Sequence, residues 1–164
     1  MTVTEKLNGY GPLAGIKVVE MCTYVAAPAT VRVLSEMGAE VIKIERPGKG
    51  DDARSNFPIV NGESAYYMNL NRNKRGIVLN LKSQAGKEVF RKLVAQSDVV
   101  LENYRPGVMD RLGLGYEELR KINPAIIYAS VSGFGHYGPY HERAGYDIVG
   151  QAISGLMSTT GWPD

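Results

Sequence analysis

Gly38-Ala39-Glu40-Val41-Ile42-Lys43-Ile44-Glu45-Arg46-Pro47-Gly48 reads as a strand that ends in a turn. Ala39 to Ile44 is an apolar-rich run with the β-branched content of a strand, Pro47 stops it, and Gly48 lets the backbone turn. The same tripeptide follows a second run, where Val99 to Leu101 leads to Arg105-Pro106-Gly107. An arginine at the carboxyl end of a strand suits an open α/β sheet, whose ligands bind at that edge. The expected ligand is anionic.

Upstream, Ile16 to Met21 is too short for a helix and reads as a buried strand. Pro28 fits a first helical turn; Ala26, Ala29, Val33 and Met37 recur at helical spacing, and Gly38 closes the segment. One βαβ unit results, with a right-handed crossover. Downstream, Pro47 to Gly62 is aperiodic and reads as a long functional loop. A short helix over Ser64 to Leu70 and a strand over Gly76 to Leu81 follow. Ser83 is the predicted N-cap of a helix whose inner face is Val89, Phe90, Leu93 and Val94. Beyond the strand at Val99, short helices over Val108 to Leu112 and Tyr116 to Ile122 precede a strand over Ile126 to Val131. Gly133 to Gly145 is a glycine-rich loop, and a last helix starts near Tyr146 and runs until Thr159-Thr160-Gly161. This alternation specifies an α/β fold: a mainly parallel open sheet, Rossmann-like, with helices on both faces.

Composition agrees with one ordinary domain. The 164 residues are 44% hydrophobic and 22% charged, and 19 basic against 17 acidic residues leave a net charge of +2. That field is too weak to argue for nucleic acid or a membrane surface as partner, so any basic site is local. Residues 1–11 read as a flexible arm before Pro12, with no signal-peptide pattern. The lone Cys22 has no partner for a disulfide. A cytoplasmic location is expected.

The fold invites a nicotinamide site, with Glu45 where a carboxylate would hold a ribose. The first turn argues against NAD. Cys22-Thr23-Tyr24-Val25-Ala26-Ala27-Pro28 has no glycine to let a pyrophosphate approach, so Glu45 is expected to pair with a base such as Lys43 or Arg46. Gly48 and Gly50 lack the lysine-serine pair of a P-loop. His136 and His141 lack metal-ligand spacing, and no metal is expected. Cys22 follows a buried strand and is expected to be inert. The cations that could serve an anion are Arg46, Lys74, Arg75, Lys82, Arg105 and Arg111, all at predicted strand ends or turns.

Residues Leu13 to Asp164 resemble the first half of the class III CoA-transferases, the formyl-CoA and carnitine CoA-transferase family. The resemblance is carried by Pro12-Leu13-Ala14-Gly15-Ile16-Lys17-Val18, by Gly38 to Glu45, and by Asn71-Arg72-Asn73-Lys74-Arg75. It continues in Glu102-Asn103-Tyr104-Arg105-Pro106-Gly107, Ile122-Asn123-Pro124 and Ser132-Gly133-Phe134-Gly135. By resemblance, residues 12–164 form a CoA-binding Rossmann-like domain, incomplete at its C-terminus. CoA, free or as acyl-CoA, is implied as substrate, held by Arg46, Lys82, Asn103, Tyr104 and Arg111, with Leu79 walling the adenine slot.

The resemblance also implies a reaction. CoA moves from one carboxylic acid to another through a mixed anhydride and a thioester on one aspartate, without metal or redox cofactor. Asp164 is not expected to be that nucleophile, which the family carries a little later. Val25, Asn56 and Tyr146 are candidates for the acyl pocket. The oxalate branch has glutamine at the position of Val25 and tryptophan near Asn56, so these departures argue against oxalate. The related α-methylacyl-CoA racemases carry a histidine base where Tyr146 stands, and a phenol is a poor base for an α-proton. Two alternatives to the transferase are therefore such a racemase and a non-catalytic CoA- or nucleotide-binding module. The resemblance implies an interlocked homodimer for the full-length protein.

Overall fold

The computed structural model describes residues 10–161. The expected N-terminal arm lies mostly, and Asp164 wholly, outside the described residues. Five parallel strands form one sheet: β1 (Lys17–Met21), β2 (Glu40–Glu45), β5 (Lys74–Val78), β6 (Val99–Glu102) and β7 (Ile127–Ser130), in the order β5-β2-β1-β6-β7. The register pairs Val18 with both Val41 and Val99. Chain order reverses between β2 and β6, on either side of β1, which leaves a crevice at the carboxyl edge of the central strands.

Alternation along the strands divides two apolar layers. Val18, Val41 and Leu101 point to the face covered by α1 (Ala26–Glu36) through Ala27 and Val31. Val19, Ile44 and Val100 belong to the layer covered by α3 (Gln84–Val94), α4 (Val108–Leu112) and α5 (Tyr116–Ile122), through Phe90, Val94, Met109 and Leu119. Ser83 accepts a hydrogen bond from the Gly86 amide and so caps α3 as its sequence predicts. Val89, expected on the inner face of α3, is exposed instead; Phe90 and Val94 fill that stripe.

The long loop is more ordered than its composition indicates. It contains a 3-10 turn (Asp52–Ser55) and a small hairpin of β3 (Ile59–Val60) and β4 (Glu63–Ser64). The hairpin turns on Asn61-Gly62, both at positive φ, a dipeptide that favours a tight hairpin turn. Helix α2 (Ala65–Asn71) follows, capped by Ser64. Strand β5 begins at Lys74 rather than Gly76 and ends at Val78, so Lys74 and Arg75 lie at the amino end of the strand, away from the crevice. The last predicted helix is two, α6 (Asp147–Ile153) and α7 (Leu156–Thr159), because Gly155 adopts φ +80 and breaks the run. Neither buries a residue.

Candidate functional site

At the carboxyl edge, between the ends of β2, β1 and β6, lies a cavity of about 260 Å³. Arg46, Asn103, Tyr104 and Arg105 line it with Cys22, Thr23, Gly50, Asp51 and Asp52. Three of the expected CoA-binding residues, Arg46, Asn103 and Tyr104, therefore converge. Leu79 and Lys82 follow β5 and do not line this cavity, although the Leu79 amide bonds to the Glu45 carbonyl. Arg111 is exposed on α4, whose backbone it continues by donating its N–H to the Gly107 carbonyl. Of the acyl-pocket candidates, Val25 and Tyr146 are 37% and 74% exposed, and the Asn56 carbonyl accepts from the Ser64 hydroxyl.

The floor of the cavity is built from charge. Lys43 is buried on the α1 face and donates to Glu20 at 3.2 Å and to the Cys22 carbonyl at 2.7 Å. Its Nζ also lies 2.9 Å from Asp51 Oδ2, and Lys74 Nζ lies 2.8 Å from the other oxygen of Glu20. Burial pushes the Glu20 carboxyl up against the pull of both lysines. For Lys43, burial works downward, but Glu20 and Asp51 outweigh it and hold the ammonium above its ordinary range. This cluster explains why Lys74 is unavailable to a ligand: leaving it unpaired would strand a buried carboxylate. Cys22 is likewise no nucleophile, because burial, with Glu20 beside it, pushes its thiol well up, and its Sγ–H donates to the Leu101 carbonyl.

Glu45 corrects the expected pairing with Lys43 or Arg46. Arg54 donates to both of its oxygens at 2.7 Å, the Tyr67 hydroxyl donates at 2.7 Å, and the Asp51 amide at 2.8 Å. Burial raises the carboxyl, but these bonds outweigh it and lower it to about 2. Lys43 is committed to Glu20 and Asp51, while Arg46 pairs with Asp52 at the surface. With its lone pairs spent on the protein, Glu45 has nothing left for a ribose. Gly50, at φ +63, lies against this carboxylate: a Cβ there would fall 2.5 Å from Glu45 Oε2.

The turn after β1 is held from two sides. Thr23 exchanges a pair of hydrogen bonds with the Asn103 side chain, and the Tyr24 amide donates to Asp51 Oδ1 at 3.0 Å. Tyr24 carries φ +70, an uncommon conformation for a residue with a Cβ. Arg105 also borders a second cavity of about 300 Å³, lined by Glu102, Asp110, Tyr116, Tyr128, Ser130 and His136, among others. Burial raises the Glu102 carboxyl, which accepts the Tyr104 amide at 2.7 Å and lies 3.8 Å from His136 Nε2.

Sequence reasoning missed Asp51, Asp52 and Arg54. Their only signal is an acid-rich start to the loop after Gly50, because the partners they meet are distant in sequence.

Among the described residues no helix is long and apolar enough to cross a membrane. A model of CoA-transferase family III matches residues 13–164. Acetyl-CoA:oxalate CoA-transferase of Acetobacter aceti is 48% identical over 164 residues, 100% of this chain and 42% of that protein. Succinyl-CoA:glutarate CoA-transferase of Homo sapiens is 47% identical over 156 residues, 94% of this chain and 36% of that protein. Among solved structures, a CaiB/BaiF family protein from Brucella suis is similar with a TM-score of 0.89 and 46% identity, over 95% of this chain and 42% of that one. The chain thus spans about two fifths of the length of these relatives.

Proposed function

The chain belongs to CoA-transferase family III, and from that premise we propose that it is the CoA-binding part of an enzyme that transfers CoA between carboxylic acids. The observation that carries this reading is the cavity at the carboxyl edge, where Arg46 and Arg105 stand beside the amide of Asn103 and the ring of Tyr104. A CoA nucleotide needs such separated cations and a flat apolar surface. Leu79, Lys82 and Arg111 complete the nucleotide site in this reading, and Val25, Asn56 and Tyr146 contribute to the acyl end.

In the proposed chemistry an aspartate carboxylate attacks the thioester carbonyl of the donor acyl-CoA. The C–S bond breaks, the acyl group remains on the aspartate as a mixed anhydride, and CoA leaves as thiolate. The thiolate attacks the aspartyl carbonyl and releases the first acid, leaving an aspartyl thioester. The acceptor acid and CoA then complete the exchange by the reverse steps. The reading puts this aspartate after Asp164. It also includes an interlocked homodimer in the cytoplasm, testable by molar mass in solution. No observation favours the racemase, since Tyr146 stands exposed at the start of α6.

Calorimetry with CoA and its dephospho form tests the binding. Arg46→Ala and Arg111→Ala are expected to weaken CoA at least about tenfold, the loss of one charge-assisted contact. Equal affinity for NAD and CoA, unaffected by either substitution, would reduce the reading to a generic nucleotide module. Transfer is tested on the full-length protein, since the 164 residues alone are expected to be inactive, with an acyl-CoA donor and a panel of oxalate, succinate, glutarate and malate. Hydroxylamine trapping of an aspartyl adduct supports the covalent route; α-deuterium uptake without any acceptor acid overturns it.

A further inference from the structure

Asp51 joins the turn after β1, the 3-10 turn and Lys43 at the cavity floor. Its side chain is wholly buried. Oδ1 accepts both the Tyr24 amide at 3.0 Å and the Ala53 amide at 2.9 Å, while Oδ2 lies 2.9 Å from Lys43 Nζ. Its own amide donates to Glu45. One carboxylate therefore binds the turn after β1, the 3-10 turn after β2 and the ammonium on β2.

We propose that Asp51 is a positioning residue for CoA binding, acting through the Thr23-Tyr24 turn, of which Thr23 lines the cavity and Tyr24 donates its amide to Asp51. The proposal rests on the CoA-binding reading above. Tyr24 sits at a positive φ that a tyrosine does not hold without external bonds, and Asp51 supplies one of them. Ala53 and Asp52 share the 3-10 turn that Asp51 caps, and Asp52 is the ion-pair partner of Arg46. Asp51 faces the Lys43 ammonium, which also bonds to Glu20, so the shape of the edge is set from inside the sheet.

The test compares the protein with Asp51→Ala and Asp51→Asn, by calorimetry with CoA and by amide hydrogen exchange. Asp51→Ala removes both acceptors; CoA affinity is expected to fall about tenfold or more, with exchange at Tyr24 and Ala53 accelerated by a similar factor. Asp51→Asn keeps one acceptor oxygen but sets an amide against Lys43, and is expected to lie between. Val94→Ala, in the core away from the edge, is the control: it lowers thermal stability but leaves affinity and exchange at Tyr24 unchanged. Parent affinity with parent exchange rates in Asp51→Ala overturns the proposal. Should that variant not fold, the same result in Asp51→Asn does so. If the parent protein binds no CoA, the functional reading fails, while the exchange rates still decide whether Asp51 holds the edge.

Discussion

Asn103 grips the backbone of Thr23 with both ends of its amide: Oδ1 accepts the Thr23 N–H at 2.9 Å, and Nδ2 donates to the Thr23 carbonyl at 2.8 Å. The side chain thus acts as one more strand partner, extending the β1–β6 ladder past Met21 and Glu102. The amide thereby uses one bonding position at each end on the protein and keeps one N–H and one lone pair. Asn103→Ala is expected to destabilise the fold by about 1 to 3 kcal/mol, since two part-buried backbone groups lose their partners. Denaturant unfolding measures this. Asn103→Asp does not rescue it, because a carboxylate oxygen would face the Thr23 carbonyl; parent stability in either variant would contradict the account.

Arg46 and Asp52 form an exposed ion pair at the mouth of the cavity. A phosphate has to compete with Asp52 for that guanidinium. Asp52→Asn is expected to tighten CoA binding several-fold, and Arg46→Ala to weaken it and to abolish the effect of Asp52→Asn. Exposed pairs contribute about 0 to 1 kcal/mol, which bounds the gain at roughly fivefold. Calorimetry on the double variant checks the non-additivity.

The Glu45 carboxyl is lowered from 4.5 to about 2 in the folded protein. Its stabilising contribution is therefore complete above pH 4.5 and disappears as the pH falls toward 2. Glu45→Gln is expected to be less stable at pH 7, with a flatter stability profile between pH 4.5 and 2. Thermal unfolding across that window reads both. An unchanged slope would show that Arg54 and Tyr67 do not hold the ionised form.

For Glu102 the sign is opposite. Burial raises its carboxyl above the ordinary 4.5, so it favours the folded state fully below that pH, and the benefit fades as the pH rises through the folded value. Glu102→Gln keeps an oxygen for the Tyr104 amide and removes the buried charge. Its unfolding temperature is expected to equal or exceed that of the parent at pH 7, with the difference shrinking toward pH 4. A large loss at pH 7 would mean that the charge itself is needed, for example by His136.

The alternation of strands and helices, the capping of α3 by Ser83 and the two arginines at the carboxyl edge all follow from residue order alone. Each of these rests on local rules: apolar period, a hydroxyl before a helix, a proline that cannot continue a strand. The family was legible as well, in motifs spread along the chain. Which charges are free depends instead on packing between distant segments. Lys74 and Lys43 look alike in sequence to Arg46, yet both are buried against Glu20, and Glu45 turns to Arg54 nine residues on rather than to its neighbours. Partners of this kind are set by which strands lie side by side and by which face each residue takes. Long-range pairing leaves no period to read, and so the acid that shapes the edge, Asp51, was visible only as one charge in a loop.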